Sequence, residues 1–232
     1  MSNAIALVRE PSPSFVDALS EHPLKGTIHF ARAFEQHRQY VQALNQLGMD
    51  VLFLASLKDC PDGVFVEDTA VVTDEVAFLC SFKEESRQSE TPSVLQELEK
   101  FRKIEVLEPP LLVDGGDVLQ TEDTVFMGLS RRTNQEAVDF FQSRLDRKVV
   151  PVPVSHGLHL KTAATYLGKN IIVANPSKVD TSIFSSFEII ETTPSEQHAA
   201  NGLAVGNQVI LPAGFPRLAR VLRGRGWEIF QV

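Results

Sequence analysis

The 232-residue chain is long enough for one sizeable core or two small ones, and its 43% apolar and 22% charged residues are ordinary for a globular protein. A formal net charge of −8 argues against a basic nucleic-acid-binding face and a polybasic membrane contact. It leaves a cationic small molecule as a natural ligand.

No apolar stretch approaches the ~20 residues that cross a bilayer. MSNAIALVREPSPS lacks the basic region and long apolar segment of a leader, so the expectation is a cytoplasmic chain without membrane contact. Cys60 and Cys80 give neither a disulfide framework nor a metal-ligand spacing.

In chain order, AIALVRE (Ala4 to Glu10) reads as a strand, and Ala31 to Leu47 has helical periodicity stopped by Gly48. DVLFLAS (Asp50 to Ser56) is a short apolar strand. After the turn signal Cys60-Pro61-Asp62-Gly63, the β-branched run VFVEDTAVV predicts a buried strand. It carries Glu67 and Asp68 side by side, which alternation would send to opposite faces. A carboxylate in such a run is costly unless a cation or donor meets it. VAFLC completes a hairpin, Lys83 to Glu90 reads as a mobile polar loop, and Thr91-Pro92-Ser93 opens a helix that leads to the strand KIEVLE.

The succession then recurs. LLVDGGDVL with VFMGLS, HLKTAATYL with IIVA, and ANGLAV with VILPA are hairpins, each followed by a helical segment and a strand. The polar residues that start the hairpins, Asp68, Asp114, His159 and Asn201, stand 46, 45 and 42 residues apart. Such a period, one sheet per unit, predicts a ring or propeller-like α/β array, with two small α/β sandwiches as the alternative. The first unit lacks one hairpin strand, so a closing strand is expected beyond Val232.

In a closed ring the hairpin starts would meet at one axis, placing two acids and a histidine at one mouth. A carboxylate that orients a proton-moving histidine is a standard arrangement, and further acids suit a guanidinium. The glycines of DGGD also read as a sheet bulge, and a lone histidine also reads as structural. Arg131 and Arg132 are surface residues by default, although one of them could take a ligand carboxylate. Thr133 or Asn134 caps the following helix.

PDGVFVEDTAVV, VDGGDVL, GLSRRTN and GLHLK, in this order and spacing, resemble the dimethylarginine dimethylaminohydrolases. ARAFEQHRQYVQALNQLG looks like that family's first helix. The resemblance implies an α/β pentein fold in one domain over residues 1–232, a five-module ββαβ ring with pseudo-fivefold symmetry. It implies hydrolysis of methylated arginine to citrulline and an alkylamine through a covalent cysteine intermediate. Asp68 would grip the guanidinium with Glu67 beside it, Asp62 the amino group and Arg132 the carboxylate. Asp114 would orient His159, which would protonate the leaving amine and then activate water.

Lys161, where arginine deiminases have an aspartate, favours the dimethylaminohydrolase branch. An arginine or agmatine deiminase, or a non-catalytic ligand-binding relative, are the alternatives. The family's TRPG-like arginine is Ser81 here, with Lys83 or Arg87 as stand-ins. The nucleophilic cysteine is expected just beyond Val232, neither Cys60 nor Cys80 looking like a substitute. No cofactor or metal is called for. The oligomeric state is not legible, a homodimer being the arrangement to test.

Overall fold

The computed structural model of the protein describes residues 4–20 and 24–232. Residues 1–3, part of the stretch read as lacking a leader, lie outside them. The chain divides into two compact units, Met1–Gly115 and Gly116–Val232. No described helix is long and apolar enough to cross a membrane.

The first unit opens with β1 (Ile5–Arg9), helix α1 (Phe30–Gln46) and β2 (Asp50–Leu54), and β1 pairs with β2 in parallel. Gly48 adopts φ +78° just past α1, a conformation glycine takes without a Cβ clash, and the helix stops there as its periodicity predicts. Next come β3 (Ala70–Val72), β4 (Val76–Leu79), α2 (Thr91–Leu98) and β5 (Lys103–Val106). Strand β3 runs antiparallel to β4, and β4 parallel to β5. Leu54, Ala77, Val94 and Leu98 form a core cluster that ties the two modules together.

The second unit repeats this order three times. Strands β6 (Val118–Gln120), β7 (Thr124–Leu129) and β8 (Lys148–Pro153) carry helix α3 (Gln135–Arg144). Strands β9 (Ala164–Gly168), β10 (Ile171–Ala174) and β11 (Glu188–Glu191) form the next module. Its helical segment is a single 3-10 turn, Thr181–Phe184. Strands β12 (Leu203–Val205), β13 (Gln208–Leu211) and β14 (Glu228–Gln231) carry α4 (Pro216–Gly224). In every three-stranded sheet the middle strand pairs antiparallel with one neighbour and parallel with the other. The strand–strand–helix–strand unit read from the repeat is therefore present four times, and a two-stranded version stands in the first module.

The expectations for two segments of the first unit need correction. VFVEDTAVV is a strand only from Ala70 onward; Val66–Thr69 is a 3-10 turn. Thr69 Oγ1 donates to Val66 O at 2.6 Å and Asp68 N to Phe65 O at 3.1 Å, local bonds that outcompete a strand ladder. The turn does what alternation was expected to do, since Glu67 is exposed and Asp68 buried. Lys83 to Glu90 is likewise no loose loop. Glu85–Glu90 is a 3-10 helix in which Arg87 and Glu90 are buried.

Candidate functional site

In the first unit the chemistry gathers around Arg87, which is only 1% exposed. Its Nε and Nη2 donate to Glu90 Oε1 and Oε2 at 3.0 and 2.9 Å, a bidentate fork closed across one 3-10 turn. Its Nη1 donates to Asp68 Oδ2 at 2.9 Å and to Asp114 Oδ2 at 3.4 Å. The guanidinium also lies over the Phe82 ring, 4.5 Å from its centroid. One cation thus joins two of the acids singled out in the sequence. Burial by itself lowers the pKa of Arg87, but hydrogen bonds and charge from Glu90 and Asp68 outweigh it and hold the pKa above its ordinary value. Burial pushes Glu90 above the usual carboxylate value, with the Arg87 pairing opposing it.

Asp114 is brought to this cluster by the close approach of its own chain to the Val66–Thr69 turn. A Cβ on Gly115 would stand 2.2 Å from the Glu67 carbonyl oxygen, so only glycine fits there. Asp62 is buried, and both its carboxylate oxygens accept from Leu19 N, at 3.1 and 3.2 Å. Arg9, buried as well, donates to the carbonyls of Ala55, Gly63 and Glu90 and to Ser93 Oγ, so it fastens the surrounding loops. The buried charged residues described in this unit are Arg9, Arg87, Asp62, Asp68, Glu90 and Asp114. Carboxylates exceed guanidiniums by two, which gives the region a negative field.

In the second unit His159 and Arg132 are both buried, whereas Arg131 and His156 are exposed. His159 caps the 3-10 turn Leu160–Thr162, and its carbonyl accepts from Thr162 Oγ1 at 2.7 Å and from Thr162 N at 3.2 Å. Asn134, rather than Thr133, caps α3 by accepting from Ala137 N at 3.1 Å. Thr133 is used otherwise. Its hydroxyl donates to Asp117 Oδ2 at 2.7 Å, where Ser130 Oγ also donates at 2.6 Å.

Asp117 is the second acid of DGGD and was not singled out by the sequence. It is fully buried, and its Oδ1 accepts from Leu160 N at 2.9 Å. Glu90 and Asp117 are site-region residues that the sequence reading missed, and Arg87 entered it only as a stand-in for the family arginine, not as the centre of a carboxylate cluster. Only the three-residue spacing of Arg87 and Glu90 and the second acid of DGGD hinted at them.

Cys60 and Cys80 are buried, Cys60 Sγ lying 3.2 Å from Ser89 Oγ. Ser81 is buried, Lys83 is exposed, and the N–H groups of Arg87 serve the three carboxylates.

Residues 10–210 match the family model described as N,N dimethylarginine dimethylhydrolase, eukaryotic. The chain is 33% identical, over 97% of its length and 91% of the relative's, to the N(G),N(G)-dimethylarginine dimethylaminohydrolase of Pseudomonas aeruginosa. The chain belongs to the dimethylarginine dimethylaminohydrolase family. The enzyme of the same name from Streptomyces coelicolor is 35% identical over 98% of this chain and 89% of its own.

Among solved structures, a cysteine-to-serine mutant of the Pseudomonas aeruginosa family member complexed with citrulline superposes with a TM-score of 0.93. It shares 32% identity, with 100% of this chain and 92% of the other covered. A histidine-to-glycine mutant of a family member, as an adduct with S-methyl-L-thiocitrulline, gives 0.94 at the same identity and coverage. The modules described above are therefore those of the α/β pentein fold. The N-terminal domain of a cyanobacterial arginine dihydrolase, 20% identical with a TM-score of 0.90, shares the fold.

Proposed function

We propose that the protein binds a methylated arginine, asymmetrically dimethylated or monomethylated, and serves its hydrolysis to L-citrulline and dimethylamine or methylamine. The observation that carries this reading is the excess of two buried carboxylates in the first unit of a member of this family. A ligand with a guanidinium at one end and an ammonium at the other suits that field.

In this reading Asp68 grips the guanidinium, with Glu67 beside it, and Asp62 takes the α-ammonium. Arg132 takes the α-carboxylate. Asp114 orients His159. A cysteine thiolate adds to the guanidinium carbon, and the C–N bond to the alkylated nitrogen breaks as His159 delivers a proton to the leaving amine. His159 then removes a proton from water, which adds to the same carbon, and the C–S bond breaks to release citrulline and the thiolate. Substrate plus water equals citrulline plus amine. Neither Cys60 nor Cys80, both buried, is assigned that thiolate.

The test is citrulline formation from Nω,Nω-dimethyl-L-arginine, with calorimetric binding of the same compound and of L-citrulline. It is run on protein whose intact mass is compared with 25.7 kDa. Asp68→Ala is expected to weaken binding about tenfold or more, since it removes the ligand's charge partner. His159→Ala is expected to keep binding and abolish turnover. Equal loss of binding in both variants would refute the role assignments. Binding without turnover in the wild type would reduce the reading to a methylarginine-binding protein. No binding at all would overturn it.

A further inference from the structure

Asp117 is placed where one carboxylate can govern two segments at once. Its Oδ1 accepts from the backbone N–H of Leu160, the residue after His159. Its Oδ2 accepts from the hydroxyls of Ser130 and Thr133, which flank Arg131 and Arg132. Ser130 Oγ in turn accepts from Arg132 N at 3.0 Å and from Thr133 N at 3.3 Å, so the backbone of Arg132 is bonded to a hydroxyl that Asp117 holds. The carboxylate is 0% exposed, and the fold makes room for it at a cost. A Cβ at Gly128 would come within 2.5 Å of Asp117 Oδ1 and 2.9 Å of Leu160 Cβ, so β7 must carry glycine at that point. Three donors onto one buried carboxylate form a charge-assisted hub of fixed geometry.

We infer that Asp117 is the positioning residue of this unit's functional groups, holding the His159 turn and the Arg132 loop in one register. The role rests on the reading that places a methylarginine carboxylate on Arg132 and proton transfer on His159. Asp117 touches neither substrate nor reacting atoms in that reading. It acts through Leu160, Ser130 and Thr133. Its negative charge also couples to His159, and burial holds its own pKa above the ordinary carboxylate value, with His159 and the three hydrogen bonds opposing that rise.

The experiment compares wild type, Asp117→Asn and Asp117→Ala in the intact protein, using L-citrulline as the probe ligand and NMR titration of the His159 ring. Asp68 and Asp114, the acids that the functional reading sets with His159, are unchanged in both variants, as are the cations near this segment, Lys161 on the same turn and Lys178 with its ammonium beside Gly157. Asp117→Ala is expected to weaken citrulline binding about tenfold or more. In Asp117→Asn the His159 titration is expected to move to lower pH, since a carboxylate that favours the imidazolium has gone. A merely structural role would lower the folded fraction and leave the folded molecules with wild-type citrulline affinity, so wild-type affinity in folded Asp117→Asn overturns the inference, the His159 shift reporting the lost charge alone. Wild-type affinity in folded Asp117→Ala overturns it as well. Should Asp117→Ala fail to fold, the isosteric Asn variant decides. Failure of the functional reading shows up differently, as a wild type that binds no citrulline while the His159 shift persists.

Discussion

Arg87 shows at the scale of one residue why the site could not be read in full from the sequence. SFKEESRQSE is a polar run, and polarity alone predicts solvent. What buries Arg87 is the arrival of three carboxylates, one of them three residues away and the others 19 and 27 residues away along the chain. No periodicity encodes such a meeting. Removing the cation strands buried charge, so Arg87→Met is expected to destabilise the protein by about 3–5 kcal/mol at neutral pH in urea unfolding. Arg87→Lys should fall between, because a point charge cannot hold Glu90 bidentately and reach Asp68 as well. Without Arg87 the buried Glu90 carboxyl loses the pairing that opposes its upward shift, and a group raised in the folded state regains stability as pH falls. The deficit of the Met variant should therefore shrink on acidification through the carboxylate range. A deficit that is flat with pH would mean that Arg87 matters for packing against Phe82 rather than for charge.

Elements decide where these side chains can stand, and the elements were legible to different degrees. The strands and the α-helices follow hydrophobic period and capping chemistry, as with Gly48 past α1 and Asn134 before α3. The 3-10 turns that carry Asp68, Arg87 and Asp117, the last spanning Gly115–Asp117, do not. At Val66–Thr69 a β-branched run promises a strand, but the Thr69 hydroxyl closes a turn that the alternation pattern cannot anticipate. The two glycine-dependent approaches, Gly115 onto this turn and Gly128 beside Asp117, differ in consequence. Gly128 accommodates a side chain, whereas Gly115 abuts backbone, its virtual Cβ lying 2.2 Å from Glu67 O and 3.0 Å from Ala70 O. Backbone cannot step aside as a side chain can. Gly115→Ala is thus expected to displace the Glu67–Asp68 turn and weaken methylarginine binding about tenfold or more, read by calorimetry on folded protein. Unchanged affinity would show that the turn moves as a unit with its carboxylates intact. Asn134→Ala, which removes the acceptor that caps α3, should cost about 1 kcal/mol in urea unfolding and leave binding unchanged by calorimetry.

The repeat is what makes the architecture of the whole molecule readable. Intervals of 46, 45 and 42 residues between hairpin starts survive because each module must rebuild one strand-strand-helix-strand unit to cover its sheet. The contents of a module are freer than its length. The helical segment expected after the HLKTAATYL–IIVA hairpin is a single 3-10 turn, Thr181–Phe184, so the β9–β11 sheet is covered by less helix than any other three-stranded one. A short cover must bury more per residue. Phe184 does this: it is fully buried, and its ring meets Phe126 edge-on at 4.9 Å, within a cluster that also holds Leu160 and Ile172. Leu160 follows His159 directly, so this core also backs the turn on which the proposed proton carrier stands. Phe184→Ala is expected to cost about 3–5 kcal/mol, several times the capping mutant, because the close-packed cluster around the ring relaxes only in part into the cavity. Urea unfolding followed by tryptophan fluorescence would measure it through Trp227, which lies in the neighbouring cluster of the same unit. A loss under about 1 kcal/mol would mean that the turn repacks and that coverage, rather than this one ring, holds the module together.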